Sequence, residues 1–226
     1  MPVKRKKGLK CRLVSGGSMS REERKSALRN ALIDAAERIV ALRGLNGMKA
    51  RDIASGAGCS LGAIYTVFED IDRLILTLGA RTLARLGECL SSCVIPDESG
   101  AEYEIAYLVQ LSQKYLDFAA ENRFLWLALF EHRMPAGRSI PSEMRSEQLA
   151  LFAFIERPLE NLRPDLTPDD RKNLARSLFS AVHGIIALGL EEKLTSMPMI
   201  VLRQQIEVIV SAAARGLITE AHPPKV

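Results

Sequence analysis

Apolar positions recur every three or four residues along most of this chain, and no segment shows the strict alternation of a half-buried strand. Leu28, Leu32, Ala35, Ile39 and Leu42 fall at spacings of 4, 3, 4 and 3 on one helical face, and Gly44 stops that helix as a C-terminal cap. A short helix follows over 50–56, then a tight turn at Gly58-Cys59-Ser60. Ser60 is a suitable N-cap for a helix over 61–68, and Asp70 for one over 71–93. The second part reads as helices over 101–121, 123–134 and 142–162, the last kinked by Pro158. Thr167-Pro168-Asp169-Asp170 supplies an N-cap, a proline at the first helical position and acids for the dipole, and opens a helix reaching about residue 193. Met197-Pro198 opens the last helix, ending near residue 217. The pattern predicts an all-α fold of about nine helices: a basic arm (1–20), a three-helix unit (21–70) and a larger helical unit (71–226).

Composition narrows the function classes. A chain of 226 residues with 47% hydrophobic content can bury a core without disulfide staples. No apolar stretch approaches the roughly 20 residues that span a bilayer, so no membrane partner is expected. The basic start, Lys4 to Arg12, precedes no apolar block, so a secretory signal is not expected either; Met19 is an alternative start. The cysteines at 11, 59, 89 and 93 form no CxxC pair and lie near no histidine cluster, which argues against zinc and for reduced thiols in a cytoplasm. Cys89 and Cys93, four apart on one helix, read as a redox pair or as two small buried residues. Charge is uneven: residues 1–95 carry 17 Lys and Arg against 9 Asp and Glu, while the rest of the chain is net acidic. Only the first part is suited to a polyanion, and the basic arm would add salt-sensitive affinity.

The segment 50–68, ARDIASGAGCSLGAIYTVF, has helix-turn-helix spacing. Ile53, Ala54, Cys59, Ile64 and Phe68 can form one small core and leave the start of the second helix, Ser60, Leu61, Gly62 and Ala63, exposed for a major groove. Leu61, Gly62 and Ala63 offer close approach and contact with thymine methyls rather than bidentate base reading. Tyr65 and Thr66 are the nearest polar side chains, with Tyr65 aimed at phosphate, and Lys49 and Arg51 are placed to bind phosphate. Any short helix–glycine–helix pair shares this outline, so spacing alone leaves a purely structural corner equally open. Gly56-Ala57-Gly58 lacks the strand and acidic partner of a dinucleotide loop.

Residues 28–86 resemble the N-terminal domain of the TetR/AcrR regulators. Gly44, Arg51, Asp52, Ile53, Ala54, Gly58, Ser60, Gly62, Tyr65 and Phe68 stand in register with that family's pattern. Two departures are visible: Met48 and Lys49 stand where the second helix normally opens with Thr or Ser, and Ile71 where many relatives have Lys. The stretch 68–86 and AVHGIIALGLEEKL (181–194) resemble one branch whose C-terminal domain carries a Trp-His-Gly signature, with His183 and Gly184 matching and Phe179 where the Trp would be.

The resemblance implies a cytoplasmic bacterial transcription regulator that binds double-stranded DNA at an inverted-repeat operator, pairs through its last two helices and is released by a small molecule. Leu178, Ala181, Ile185 and Leu188, with Leu202, Ile206, Ile209 and Ala213, are the candidate dimer face; the alternative is that both helices are central core. Aromatics gather in the second half, and Tyr107, Trp126, Phe130, Phe152 and His183 are candidate contacts for a largely apolar effector. His132, His183 and His222 enter no HExxH motif or Ser-His-Asp arrangement, so catalysis, a cofactor and a metal are not expected. The competing readings are an all-helical enzyme with a vestigial helix-turn-helix and a DNA-binding dimer without ligand control.

Overall fold

Ser20 opens the first helix with a reciprocal capping box: its hydroxyl accepts from the Glu23 N–H (3.1 Å), and its own N–H donates to the Glu23 carboxylate (2.6 Å). Ser20 therefore belongs to the helix and not to the basic arm. The computed structural model describes residues 20–95, 100–191 and 197–221, without the side chains of 219–221. The rest of the arm, Cys11 and His222 lie outside the described residues.

Ten α-helices account for the fold among the described residues. They are α1 (Arg21–Arg43), α2 (Ala50–Gly56), α3 (Leu61–Val67), α4 (Ile71–Ser91), α5 (Ala101–Glu121), α6 (Arg123–Glu131), α7 (Ser142–Ala150), α8 (Ala153–Leu162), α9 (Pro168–Gly189) and α10 (Met199–Ala221). The count exceeds nine because the segment expected as one kinked helix over 142–162 is two. The break sits at Leu151 and Phe152, where backbone bonds tighten to i→i+3 spacing (Phe152 N–H to Leu149 O, Ile155 N–H to Phe152 O). Pro158 lies inside α8, several residues past the break. Asp70 and Thr167 cap α4 and α9 through their side chains, and Pro168 takes the first helical position. Ser60 occupies the N-cap position of α3 without a side-chain bond.

Two adjoining cores organise the helices. The first joins Leu32 and Val40 of α1, Ile53 of α2, Ile64 of α3, Leu74 and Leu78 of α4 and Leu125 of α6. The second joins Leu86 and Leu90 of α4, Leu116 of α5, Trp126 of α6, Ile186 of α9 and Leu202 and Ile206 of α10. Helices α4 and α6 thus contribute to both. Leu42 is an exception to the first stripe: it is exposed while Val40 is buried. It sits on the margin of the apolar face in the last turn of α1, and the buried arc is centred on Leu32, Ala36 and Val40.

Leu202 and Ile206 are fully buried in their own protomer and have no surface to offer a partner copy. The large apolar residues exposed on α10 are Met199, Ile200, Val201, Val208 and Ile209. Helix α10 is apolar on nearly all sides, so its sequence does not reveal which side turns inward; its extensive packing against α5 decides it.

Candidate functional site

Helices α2 and α3 form a rigid corner. Gly58 turns the chain with φ +68°, and the Cys59 N–H donates to the Ala54 carbonyl at 2.9 Å. Ile53 and Ile64, both wholly buried, lock the two short helices together. Helix α1 approaches closely: a Cβ at Gly56 would stand 3.2 Å from the Ala35 methyl, and the Arg38 guanidinium donates to the Gly56 carbonyl. The Arg29 guanidinium carbon lies 5.2 Å over the Phe68 ring.

This corner leaves one face of α3 outward. Ser60, Leu61, Gly62, Tyr65 and Thr66 are exposed and Ala63 is half-buried, while Lys49 and Arg51 stand exposed at the start of α2. Added volume at Gly62 would meet nothing within 4 Å. The Thr66 hydroxyl donates back to the Gly62 carbonyl (3.2 Å), so that proton is already engaged. Lys49 takes the N-cap position of α2 without capping it.

Helices α4 to α10 line a second feature, a partly open apolar pocket of about 400 Å³. Its walls come from Leu83, Leu86 and Leu90 of α4, the α5 face around Leu111, the end of α6, the α7–α8 break, α9 and α10. Phe130 and Phe152 line it. Tyr107, Trp126 and His183 do not. Tyr107 lies roughly 90° around α5 from the lining residues, buried beneath Arg157, whose guanidinium carbon is 4.4 Å from its ring. Trp126 and His183 stand behind the wall and support Tyr115, which does line the pocket.

The Tyr115 oxygen accepts from the Trp126 indole N–H at 2.9 Å and lies 2.9 Å from His183 Nδ1. The Nε2–H tautomer of a neutral His183 accepts the phenol proton at Nδ1 and the Nδ1–H tautomer donates to the phenol oxygen; either bond joins the phenol to the imidazole ring. The ring is wedged among Phe130 (centroids 4.2 Å apart), Trp126 (5.0 Å) and Phe179 (5.6 Å). Burial lowers the His183 pKa and raises that of Tyr115, so both remain neutral near pH 7. Sequence reasoning missed Tyr115 as a site residue, because its link to Trp126 crosses the break between α5 and α6 and follows no single-helix period.

A neutral His183 makes stability pH-dependent. Its pKa in the fold lies below the ordinary 6.5, so the unfolded chain takes up the proton first as pH falls. The stabilisation is complete above about pH 6.5 and is lost as pH falls through the folded value. The expected result is a drop in Tm between about pH 7 and 5 that shrinks in His183→Gln. Thermal melts at several pH values check this, and equal slopes for the two proteins would refute it. The depressed carboxyls of Asp70 and Glu143 act lower, below the ordinary 3.8 and 4.5.

The segment between α6 and α7 ties the pocket to the start of α4, which follows the α2–α3 corner in the chain. Phe130 and Ile140 face the pocket. Between them, His132 Nε2 lies 3.5 Å from the Asp72 carboxylate, and Arg138 reaches Asp70 at 2.5 Å and Asp72 at 3.9 Å. The Arg73 backbone N–H and Arg138 hold the Asp70 carboxyl below the usual carboxylate range. Further along α4, Arg81 bonds Asp34 and Glu37 of α1 at 2.5 and 3.0 Å, and Arg85 pairs with Glu37 at 2.8 Å. Cys89 and Cys93 have thiol pKa values pushed up mainly by burial, the direction of unreactive thiols. Among the described residues no group of three or more His, Cys, Asp or Glu could hold a metal, and no helix is long and apolar enough to cross a membrane.

Comparison with known proteins follows the same division. Residues 32–78 match the model of bacterial regulatory proteins of the tetR family, and residues 108–212 match the tetracyclin repressor-like C-terminal domain. The HTH-type transcriptional regulator BetI of Brucella anthropi is 32% identical over 104 residues, 46% of this chain and 53% of that protein. The chain thus matches about half the length of this curated relative. A structure of a protein with unknown function from Rhodococcus sp. RHA1 is similar with a TM-score of 0.62 and 25% identity, covering 85% of this chain and 94% of that one. The regulator FadR of Bacillus subtilis, solved with stearoyl-CoA, shares the fold with a TM-score of 0.58 and 15% identity, over 81% of this chain and 97% of its own. The two family models fall on the two cores and together cover about two-thirds of the sequence, so the chain belongs to the TetR family of bacterial regulatory proteins.

Proposed function

We propose that this protein is a cytoplasmic homodimeric repressor, acting by binding and not by catalysis, that holds an inverted-repeat operator through α3 of each protomer and leaves it when a small molecule fills the pocket. The observation that carries the reading is the course of α4. Its first half, Leu74 and Leu78, packs in the core that holds α3, and its second half, Leu83 to Leu90, lines the pocket. A ligand that favours a different setting of α4 changes how the two recognition helices are presented. The Asp70–Arg138 and Asp72–His132 pairs add a second route from the pocket wall to the start of α4. The neighbouring Phe179, His183 and Gly184 support a place in the Trp-His-Gly branch, with Phe179 stacked on His183 (28° between planes) where that branch has Trp.

The dimer is proposed on the outward face of α9 and α10: Ala181, Gly184, Ile185 and Leu188 beside Val201, Val208 and Ala212. Leu178, Ala181, Ile209 and Ala213, four of the residues assigned to dimerisation from sequence, also line the pocket, so ligand and partner would act on the same helices.

Selection and footprinting of DNA fragments bound by the purified protein test the reading. The expected product is a two-fold symmetric site. Tyr65→Phe is expected to weaken binding to that site and to unrelated DNA alike, by about 1 kcal/mol, since a hydroxyl on phosphate positions the helix without reading bases. An asymmetric site occupied by a monomer would reject the model, and full affinity in Tyr65→Phe would reject the role of that hydroxyl.

A further inference from the structure

The pocket of about 400 Å³ has no charged side chain on its wall among the described residues. Its three polar lining residues are Ser112, Tyr115 and Gln148. The Ser112 hydroxyl donates to the Val109 carbonyl at 2.7 Å. The Tyr115 oxygen takes the Trp126 N–H and is hydrogen-bonded to His183 Nδ1. Both hydroxyls are therefore already engaged within the chain. The start of α8, which forms another part of the wall, offers little more: the amides of Phe152, Phe154 and Ile155 already donate to carbonyls of the α7–α8 break. Gln148, half-buried on α7, has a carboxamide with no hydrogen-bond partner among the described residues.

We infer that the pocket takes an uncharged effector with a hydrocarbon or aromatic body and one hydrogen-bonding group, which the Gln148 carboxamide receives. The inference deepens the repressor reading and rests on its assignment of the pocket. A carboxylate, phosphate or ammonium seated in the apolar body of this pocket would lose most of its water and meet no opposite charge on the wall, a large desolvation cost with no return. A hydroxyl, ketone or neutral amide loses far less, and a carboxamide that both donates and accepts suits any of them.

Two matched probe sets test this by calorimetry on the full chain at pH 7.5: 1-octanol, octanoate and octylammonium, and 2-naphthol, naphthalene and 2-naphthoate. In each set the neutral polar member is expected to bind, with the charged members roughly 100-fold weaker or worse. 2-Naphthol should exceed naphthalene by about tenfold in the parent protein, and Gln148→Leu should remove that difference while still binding naphthalene. A charged member that binds as tightly as its neutral counterpart overturns the inference and leaves the pocket assignment standing. An undiminished preference for 2-naphthol in Gln148→Leu overturns the role of Gln148. If no member of either set binds, the inference falls together with the pocket assignment.

Discussion

Trp126→Ala is expected to lower folding stability by roughly 3–5 kcal/mol, the range for deleting a large buried aromatic side chain. The side chain is 1% exposed and sits where α5, α6 and α9 meet. Its loss leaves a cavity beside the apolar pocket, and the Tyr115 oxygen loses the indole donor. Trp126→Phe separates the two contributions. It keeps most of the buried aromatic volume but removes the N–H and part of the ring system, so it should cost at least the bond's worth of about 1 kcal/mol and clearly less than the alanine variant. Urea unfolding followed by circular dichroism measures both. A loss below about 1 kcal/mol in the alanine variant would show that the indole is not a structural wedge. An equal loss in the two variants would instead give the hydrogen bond the dominant part.

The sequence was most informative where structure is local. Gly58 must turn the chain at positive φ, and Asp70 and Thr167 must cap helices whose first amides lie three residues away; each requirement fits inside a few residues. The small core of Ile53, Ala54, Ile64 and Phe68 was legible for the same reason: two short amphipathic helices joined by one turn have few ways to pack. Legibility failed where a helix is apolar on several sides. Nothing within α10 distinguishes Leu202 and Ile206, which are buried, from Val201 and Val208, which are not; α5 makes that choice from nearly a hundred residues away. The pocket was legible only as a concentration of aromatics. Tyr107 and Tyr115 look alike in sequence, yet one is capped by Arg157 and the other lines the cavity, because their helix presents them to different neighbours. Gln148 carried no sequence signal at all: an amide on a polar helix is ordinary until its surroundings are known.

Leu188→Asp combined with Val208→Asp is expected to yield a folded monomer whose operator affinity falls by roughly 10²–10⁴-fold, the usual worth of linking two binding modules in one particle. In the single protomer Leu188 is 56% exposed, Val208 59% and Ile200 64%, and Val201 adds to the same region. Large apolar side chains gathered on two neighbouring helices mark a surface made to be covered. The small residues between them allow a second pair of helices to approach: Ala181 and Ala212 are exposed, and a Cβ at Gly184 would meet nothing within 4 Å. A two-fold dimer carries each substitution twice, so the double variant would place four carboxylates in an apolar interface. Because both side chains point to solvent in the protomer, its fold should survive. Leu202→Asp is the contrasting control: that side chain is fully buried against the second core, and a charge there should unfold the protein rather than separate its copies. Sedimentation, circular dichroism and operator titration on the three proteins distinguish the outcomes. A double variant that stays dimeric would move the interface to another face, and a parent protein that sediments as a monomer would remove the dimer from the model altogether.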